Sequence, residues 1–240
     1  MTTTTTPVAL VTGAGSGIGR ATAILLAARG YDLALTGRRP ERLRETAALL
    51  GAGRALELPA DVADGADAAA IVDRTLDRFG RVDALVNNAG SAPLLPIEAH
   101  TPGVLDEVYR TNAIGPAITI ARAWPVFKRQ RSGCIVNVST MATIDPFAGF
   151  FGYASSKAAV NLMALSCAKE GKAFGVRAFA VAPGAVETQM LRALFPESQL
   201  PRSRVMPPER IASVIVECIT GDHDDRNGQV IVVNDPSRPG

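Results

Sequence analysis

The length of 240 residues and the 47% share of hydrophobic residues allow a substantial buried core, which excludes a wholly disordered protein. The formal net charge of +2 is too close to balance to indicate a surface for nucleic acid or anionic membranes. Three widely separated cysteines, Cys134, Cys167 and Cys218, indicate buried free thiols and argue against a disulfide framework or a zinc site.

The chain begins with a threonine run that lacks the basic residues of a signal peptide, and we predict a disordered tail over residues 1–6. No later segment reaches about 18 uninterrupted apolar residues, the length that a membrane span requires. The sequence therefore predicts a cytoplasmic protein that has neither a nucleic acid nor a membrane as its partner.

Short apolar runs alternate with segments of helical periodicity along the chain. The runs predict seven strands, over Val8–Val11, Asp32–Thr36, Ala55–Leu58, Ala84–Val86, Cys134–Val138, Val176–Val181 and Gln229–Val233. The intervening segments predict helices over Gly17–Ala28, Pro40–Leu50, Gly65–Phe79, Pro102–Arg129, Tyr153–Phe174 and Pro208–Ile219. Such alternation predicts an α/β fold, a Rossmann-like doubly wound parallel sheet of about seven strands that is flanked by helices.

Nothing along the chain resembles a linker between two cores, so residues 7–240 are predicted to form one domain. One segment has a different character: Gln189–Pro207 mixes prolines with polar and basic residues and has no sustained period. We expect this segment to be a loop or a lid over a substrate.

A glycine-rich turn follows the first strand and leads into an apolar helix; it reads Thr12-Gly13-Ala14-Gly15-Ser16-Gly17-Ile18-Gly19. Backbone N–H groups in such a turn and the positive end of the helix attract a pyrophosphate, and the missing side chains let that ligand approach the backbone. A merely flexible turn would explain the glycines equally well in isolation. Their position between a strand and a helix favours a dinucleotide site.

The second strand ends in Leu35-Thr36-Gly37-Arg38-Arg39, without the acidic residue that would bind the ribose 2′-OH of NAD. The planar guanidinium groups of Arg38 and Arg39 suit a 2′-phosphate instead. Alternatively, one or both arginines only solvate the start of the next helix. The segment favours NADP over NAD.

Tyr153 and Lys157 lie four residues apart at the start of a predicted helix, and therefore on one face. A nearby ammonium group lowers the pKa of a phenol from about 10 toward neutrality, which would suit Tyr153 to act as an acid or base. A structural pair with the same spacing is common in helices. The position of the pair in the fold must therefore distinguish a catalytic role from a structural one.

Two polar residues lie near this pair in the predicted fold. Ser139 ends the fifth strand, at the carboxyl edge where open α/β sheets bind ligands, although a turn or helix cap would explain it as well. Asn112 lies inside the predicted helix Pro102–Arg129, where an amide has poor helix propensity; a solvent-facing asparagine is the alternative.

Taken together, these motifs resemble those of the short-chain dehydrogenase/reductase family in its compact single-domain branch. The glycine turn has the family's T-G-x-x-x-G-x-G spacing. Further matching segments follow the third, fourth and sixth strands; they are Asp61-Val62, Asn87-Asn88-Ala89-Gly90 and Pro183-Gly184-Ala185-Val186-Glu187-Thr188. The resemblance extends from Thr12 to Thr188.

This resemblance implies hydride transfer between NADP(H) and a carbonyl or alcohol, with Tyr153 as the acid/base. It further implies that Ser139 holds the substrate oxygen, that Lys157 holds the nicotinamide ribose and lowers the tyrosine pKa, and that Asn112 distorts its helix and orders a water in a proton relay. The implied cofactor contacts are Gly13, Gly15, Ser16, Gly17, Ile18, Gly19, Arg38, Asp61, Val62, Asn88, Ala89, Gly90, Tyr153, Lys157, Pro183, Gly184, Val186 and Thr188.

The chain departs from the family pattern at two places. Phe179 stands where many relatives have asparagine, and Val232-Val233-Asn234-Asp235-Pro236 replaces the usual V-D-G-G ending. The second departure leaves open whether the expected homo-oligomer is a dimer or a tetramer. His100 and His223 do not have the spacing of a metal site, and we assign no metal and no chemistry to them.

The sequence indicates the substrate less clearly than the cofactor. The expected pocket, over Ser91–Leu95, Met141–Phe151, Ala185, Val186 and the lid, is mostly apolar and favours a neutral hydrophobic ketone or alcohol. A 3-oxoacyl-thioester reductase is an alternative, since an acidic carrier protein could contact a basic cluster made of Lys128, Arg129, Arg131, Lys169 and Lys172. A regulator that binds NADP without turnover is a further alternative.

Overall fold

The computed structural model describes residues 6–234, in which seven strands form one parallel sheet. The strands are β1 Val8–Thr12, β2 Asp32–Gly37, β3 Ala55–Pro59, β4 Ala84–Asn87, β5 Gly133–Val138, β6 Val176–Pro183 and β7 Val230–Val233. Their order is β3-β2-β1-β4-β5-β6-β7. The predicted doubly wound sheet is confirmed. Its winding direction reverses between β1 and β4, the point where open α/β sheets bind ligands.

Eight α-helices connect or follow these strands in the described part of the chain. They are α1 Gly17–Ala28, α2 Pro40–Ala48, α3 Gly65–Phe79, α4 Pro102–Tyr109, α5 Gly115–Gln130, α6 Phe151–Gly171, α7 Gln189–Leu194 and α8 Pro208–Thr220. Within residues 6–234, none of the helices combines the length and the apolar character needed to cross a bilayer.

The strands are largely apolar because helices cover the sheet on both faces. Along β1, Ala9 and Val11 belong to a core with residues of α1, α2 and α8. Leu10, which points to the opposite face, packs in a second core with residues of α3, α5 and α6. Phe179, the departure from the family pattern in β6, is fully buried in the first core. The predicted burial of all three free cysteines is confirmed.

The helix predicted over Pro102–Arg129 is interrupted by a π-helical turn at Arg110–Ile114. Pro116 has no N–H to donate to the carbonyl of Asn112, its partner in a regular α-helix, and the proline ring would crowd that carbonyl. The wider turn instead lets the N–H of Gly115 donate to the carbonyl of Arg110. The prediction of one continuous helix is therefore wrong, and proline chemistry explains the break. The turn contains Asn112, where the family resemblance implied a distorted helix.

The segment expected to be a loop or lid, Gln189–Pro207, contains regular structure. It opens with α7 and includes a 3₁₀ turn over Arg202–Arg204. The Thr188 hydroxyl caps α7 by accepting a hydrogen bond from the N–H of Leu191 at 3.1 Å. A helix of six residues is too short to produce a visible hydrophobic period, so the sequence pattern missed it.

Two predictions fall on the chain ends. Residues 1–5 of the predicted tail and residues 235–240, which include Asp235 and Pro236 of the unusual ending, lie outside the described residues.

Candidate active site

A cleft of about 1140 Å³ opens along the carboxyl edge of the sheet. All of the predicted cofactor and catalytic residues line it except Gly19 and Asn112, which lie behind its wall. Parallel strands end at the same edge of a sheet, and this geometry gathers residues that are up to 175 positions apart in the chain, from Gly13 to Thr188.

The glycine turn forms a cradle that has no room for side chains. Gly13 has a φ of +66°, and a Cβ there would lie 2.7 Å from Nδ2 of Asn88. That amide donates to the carbonyl of Thr12 at 2.8 Å. Ser16 stands at the N-cap of α1 without a side-chain capping bond, so the first-turn N–H groups of the helix have no cap from it. Backbone N–H groups that lack an acceptor at a helix N-terminus, beside a glycine turn, can bind a pyrophosphate.

The turn is braced from outside by residues that the sequence did not reveal. Arg20 donates to the carbonyl of Gly15 at 2.6 Å and to the hydroxyl of Thr46 at 3.0 Å. Glu45 forms ion pairs with Arg20 at 2.9 Å and with Arg42 at 3.0 Å. Hydrogen bonds from these two arginines lower the pKa of the Glu45 carboxyl. The brace links α1 to α2, an arrangement that a single sequence does not record.

Arg38 and Arg39 are both exposed at the end of β2, on the wall of the cleft. Arg39 donates to the side-chain oxygen of Gln189 at 3.4 Å, which connects it to the lid. Among residues 6–234, the guanidinium of Arg38 has no hydrogen-bond or ion-pair partner. Of the two arginines, Arg38 is thus the one whose donors are available to an anionic ligand.

Ser139, Tyr153 and Lys157 meet on the cleft wall beyond the glycine turn. The hydroxyl of Ser139 is buried and has no hydrogen-bond partner, an unusual state for a buried polar atom. The ammonium of Lys157, whose side chain is 4% exposed, donates to the carbonyl of Val138 at 2.7 Å. One unpartnered hydroxyl beside a phenol and an ammonium group suits an oxygen atom of a bound molecule.

Burial dominates the electrostatics of this group. It raises the pKa of Tyr153, although a hydrogen bond with Thr140 lowers it in part. It lowers the pKa of Lys157 to about 8. Burial of the phenol thus acts against the expected lowering of its pKa, and the role of Lys157 in lowering that pKa stays a prediction.

Asn112 is fully buried, which excludes the solvent-facing alternative. Its amide exchanges two hydrogen bonds with the backbone of Ser91, at 2.7 and 2.9 Å, and donates to the hydroxyl of Ser156 at 3.0 Å. Gly90 separates it from Lys157, since a Cβ there would lie 3.2 Å from Oδ1 of Asn112 and 3.5 Å from Nζ of Lys157. The amide therefore ties the loop after β4 to α6, and its predicted role in a proton relay stays a prediction.

A buried polar layer lies under the cleft. Asn87 donates to Asn137 at 3.0 Å, and Thr119 donates to Asn87 at 2.8 Å. Asn137 in turn donates to the carbonyl of Val160, one turn along α6 from Lys157, at 3.1 Å. Fully satisfied buried networks of this kind fix the relative position of the elements they join, here β4, β5, α5 and α6.

The far end of the cleft is largely apolar. Its walls come from the predicted segments and the lid, namely Leu94, Met141, Ala142, Phe147, Phe150, Leu191, Leu194, Phe195, Leu200 and Met206. Phe151 was expected among them but lies outside the cleft, where its exposed ring contacts His100 edge-on at 5.4 Å. Asp145 and Arg204 are charged residues that these segments add to the cleft. The arrangement suits a neutral apolar molecule whose polar atom reaches Ser139 and Tyr153.

Comparisons with known proteins agree with this geometry. The model of a family described as short chain dehydrogenase matches residues 7–199. Levodione reductase from Leifsonia aquatica is 34% identical, over 98% of this chain and 97% of that protein. A protein of Streptomyces violaceoruber, named as a ketoacyl reductase of the granaticin polyketide synthase, is 36% identical over 95% of this chain and 94% of its own length. The crystal structure of a levodione reductase matches with a TM-score of 0.88 and 31% identity, over 95% of this chain and 96% of that one.

Proposed function

Because the chain belongs to the short-chain dehydrogenase/reductase family, we propose that it is an NADP(H)-dependent enzyme that interconverts a neutral, hydrophobic ketone and its secondary alcohol. The observation that carries the proposal is the buried, unpartnered hydroxyl of Ser139, which lies on the cleft wall with Tyr153. Ser139 lines the same cleft as the glycine turn and the apolar walls, so a carbonyl oxygen bound there would satisfy its hydroxyl.

The nicotinamide cofactor, when bound, supplies or accepts the hydride. Tyr153 donates the proton that the carbonyl oxygen needs on reduction, and a pKa raised by burial keeps the phenol protonated at neutral pH for that task. Ser139 donates a hydrogen bond to the same oxygen and polarises the carbonyl. The ammonium of Lys157, held by the Val138 carbonyl, orients the cofactor ribose and stabilises the phenolate left after proton transfer.

The proposal of NADP rather than NAD rests on the residues that follow β2. A 2′-phosphate requires donors that no protein group already uses, and Arg38 offers such donors at the cleft wall. The glycine cradle and the N-terminus of α1 would hold the pyrophosphate, and Asp61 with Val62 would border the adenine.

The direct test measures oxidation of NADPH and of NADH with panels of apolar ketones, sugars, acyl thioesters and steroids. We expect NADPH oxidation with at least one apolar ketone and weaker use of NADH. Binding of NADPH without turnover of any carbonyl, under single-turnover conditions, would support the alternative of a non-catalytic regulator.

A second candidate is a 3-oxoacyl-thioester reductase, which the name of the Streptomyces violaceoruber relative favours. The exposed side chains of Lys128, Arg129 and Lys172 lie on one side of the molecule, where Lys128 also stacks over the Phe174 ring at 4.8 Å. If an acidic carrier protein docks there, charge reversal of Arg129 and Lys172 raises KM for the carrier-bound substrate and leaves KM for a small ketone unchanged.

We also propose that the protein is a homo-oligomer, dimer or tetramer. Exposed leucines on α6, Leu162 at 66% and Leu165 at 39%, support helix pairing between copies. Sedimentation of the purified protein distinguishes monomer, dimer and tetramer. The cytoplasmic location stays a prediction.

A further inference from the structure

The lid is anchored at its base by a short piece of parallel pairing. The N–H of Glu187 donates to the carbonyl of Met206 at 2.8 Å, and the N–H of Met206 donates to the carbonyl of Ala185 at 2.9 Å. This pairing joins the two ends of the lid. Between these ends, Gln189 accepts a hydrogen bond from Arg39, and Leu194 and Phe195 pack against Phe150.

One side chain, Arg192 on α7, joins the parts of the lid to one another and to its base. Its guanidinium forms a two-pronged ion pair with Glu187, in which Nε lies 2.9 Å from one carboxylate oxygen. The same guanidinium donates to the carbonyl of Leu200 at 2.6 Å and to that of Phe195 at 3.3 Å. Arg192 therefore contacts the base, the end of α7 and the returning limb of the lid at once.

The contacts of Arg192 with Glu187, Phe195 and Leu200, which we call the clasp, lie between the two ends of the cleft. Glu187 lies between Val186 and Thr188, which line the cleft at the predicted nicotinamide end. On the other side, Leu194 and Phe195 pack with Phe150 and Tyr153 in one apolar cluster. The clasp thus fixes the apolar wall of the lid relative to both the cofactor segment and the tyrosine.

A second ion pair in the lid has the same spacing but a different environment. Arg202 pairs with Glu197 at 2.6 Å, and these side chains are 70% and 54% exposed. Those of Arg192 and Glu187 are only 19% and 26% exposed. Exposed pairs contribute little, whereas hydrogen bonds from a partly buried guanidinium to backbone carbonyls are stronger and directional.

We infer that Arg192 is a positioning residue, which sets the affinity for apolar carbonyl substrates by holding the lid wall over Tyr153. The inference rests on the proposed function. It assigns no proton transfer to Arg192, because the guanidinium contacts lid groups and not the reacting atoms. Loss of the clasp should therefore weaken binding of bulky apolar substrates more than it slows the chemical step.

The variant Arg192→Met removes the clasp but keeps an unbranched apolar stem, and Arg202→Met is its matched control. We expect Arg192→Met to raise KM for a bulky apolar ketone by about tenfold or more, the size expected for lost charge-assisted hydrogen bonds, with little change in kcat. KM for the smallest accepted ketone and the Kd of NADPH should change much less. Arg202→Met should behave as the wild type.

Hydrogen exchange gives a readout that needs no turnover. Amides of residues 193–205 should exchange about tenfold faster in Arg192→Met than in the wild type or in Arg202→Met, while β1 and β5 stay protected. Glu187→Gln, which keeps the shape of the pair, should give an intermediate increase and serves if Arg192→Met fails to fold. Equal lid exchange in the two arginine variants would overturn the inference, as would equal rises of KM for bulky and small ketones. If the wild type reduces no carbonyl, the proposed function fails, and lid exchange still decides whether Arg192 positions the lid.

Discussion

The two ends of the cleft are held by different kinds of contact. The glycine turn is fixed to distant parts of the chain, by Asn88 from the loop after β4 and by Arg20 and Thr46 through α1 and α2. The ion pair and most of the polar contacts of the lid are among its own residues, with Arg192 at their centre. The predicted cofactor end is thus built into the sheet, whereas the predicted substrate wall depends on a local clasp.

The largest effect is expected at the junction of the two ends. Tyr153→Phe removes only the hydroxyl, so turnover should fall about 10²- to 10⁴-fold, the usual contribution of general acid–base catalysis. The Kd of NADPH should stay near that of the wild type. Tyr31→Phe is the matched control, since Tyr31 precedes β2 at the opposite edge of the sheet. Comparable turnover of the Tyr153 variant and the wild type would refute the assignment.

At the cofactor end, Gly13→Ala tests the cradle. The added Cβ meets Asn88, and the positive φ of +66° adds backbone strain. We expect weaker NADPH binding and a loss of about 1–3 kcal/mol in the free energy of unfolding. Gly30→Ala is the control, because Gly30 has a φ of +88° with open space around it. Cofactor titration of both variants checks this prediction, which requires that only Gly13→Ala weakens binding.

Lys157 allows a test of how burial in the cleft wall changes the pKa of a side chain. Its pKa is about 8 in the folded protein and 10.5 is its ordinary value. Between these values the unfolded chain binds more protons, so the folded state gains stability as pH rises. From pH 7 to 9.5 the wild type should gain about 2 kcal/mol in the free energy of unfolding relative to Lys157→Met. Urea unfolding at the two pH values measures the difference, and a constant difference contradicts the prediction.

The smallest effect is expected at Arg38. Arg38→Ala should weaken NADPH binding about tenfold, near the lower limit for a charged hydrogen bond because the site is exposed. NADH binding should change little, since NADH has no 2′-phosphate. Arg39→Ala is the control, as its side chain reaches the lid residue Gln189. Fluorescence titration with both cofactors measures the two affinities. Equal losses of affinity for NADPH and NADH would mean that Arg38 does not contact the phosphate.

Much of the fold could be predicted because its signals are local. Strands covered on both faces are mostly apolar, and this made all seven visible within one or two residues. The short helix α7 was missed because six residues carry too little pattern. The helical period did not show the π-turn either, although the family resemblance implied a distorted helix at Asn112, and Pro116 placed four residues after Asn112 is a local signal for it.

The candidate site likewise contains features that the sequence indicated and features that it did not. The glycine turn, Arg38 and the step from Tyr153 to Lys157 were recognisable from residue type and spacing. The brace by Arg20 and the buried network through Asn137 were not, because each joins residues far apart in the chain. The lid clasp joins nearby residues, but it depends on the short helix α7, which the sequence pattern did not show.

What the sequence determined by itself is the order of strands and helices, the glycine turn that only residues without side chains can form, and the chemical identity of Ser139, Tyr153 and Lys157. Only the tertiary structure decided their protonation behaviour and the position of the lid. The physical reason is that desolvation depends on everything packed around a group. Burial thus raises the pKa of Tyr153 and lowers that of Lys157, an effect that their spacing in the helix does not reveal.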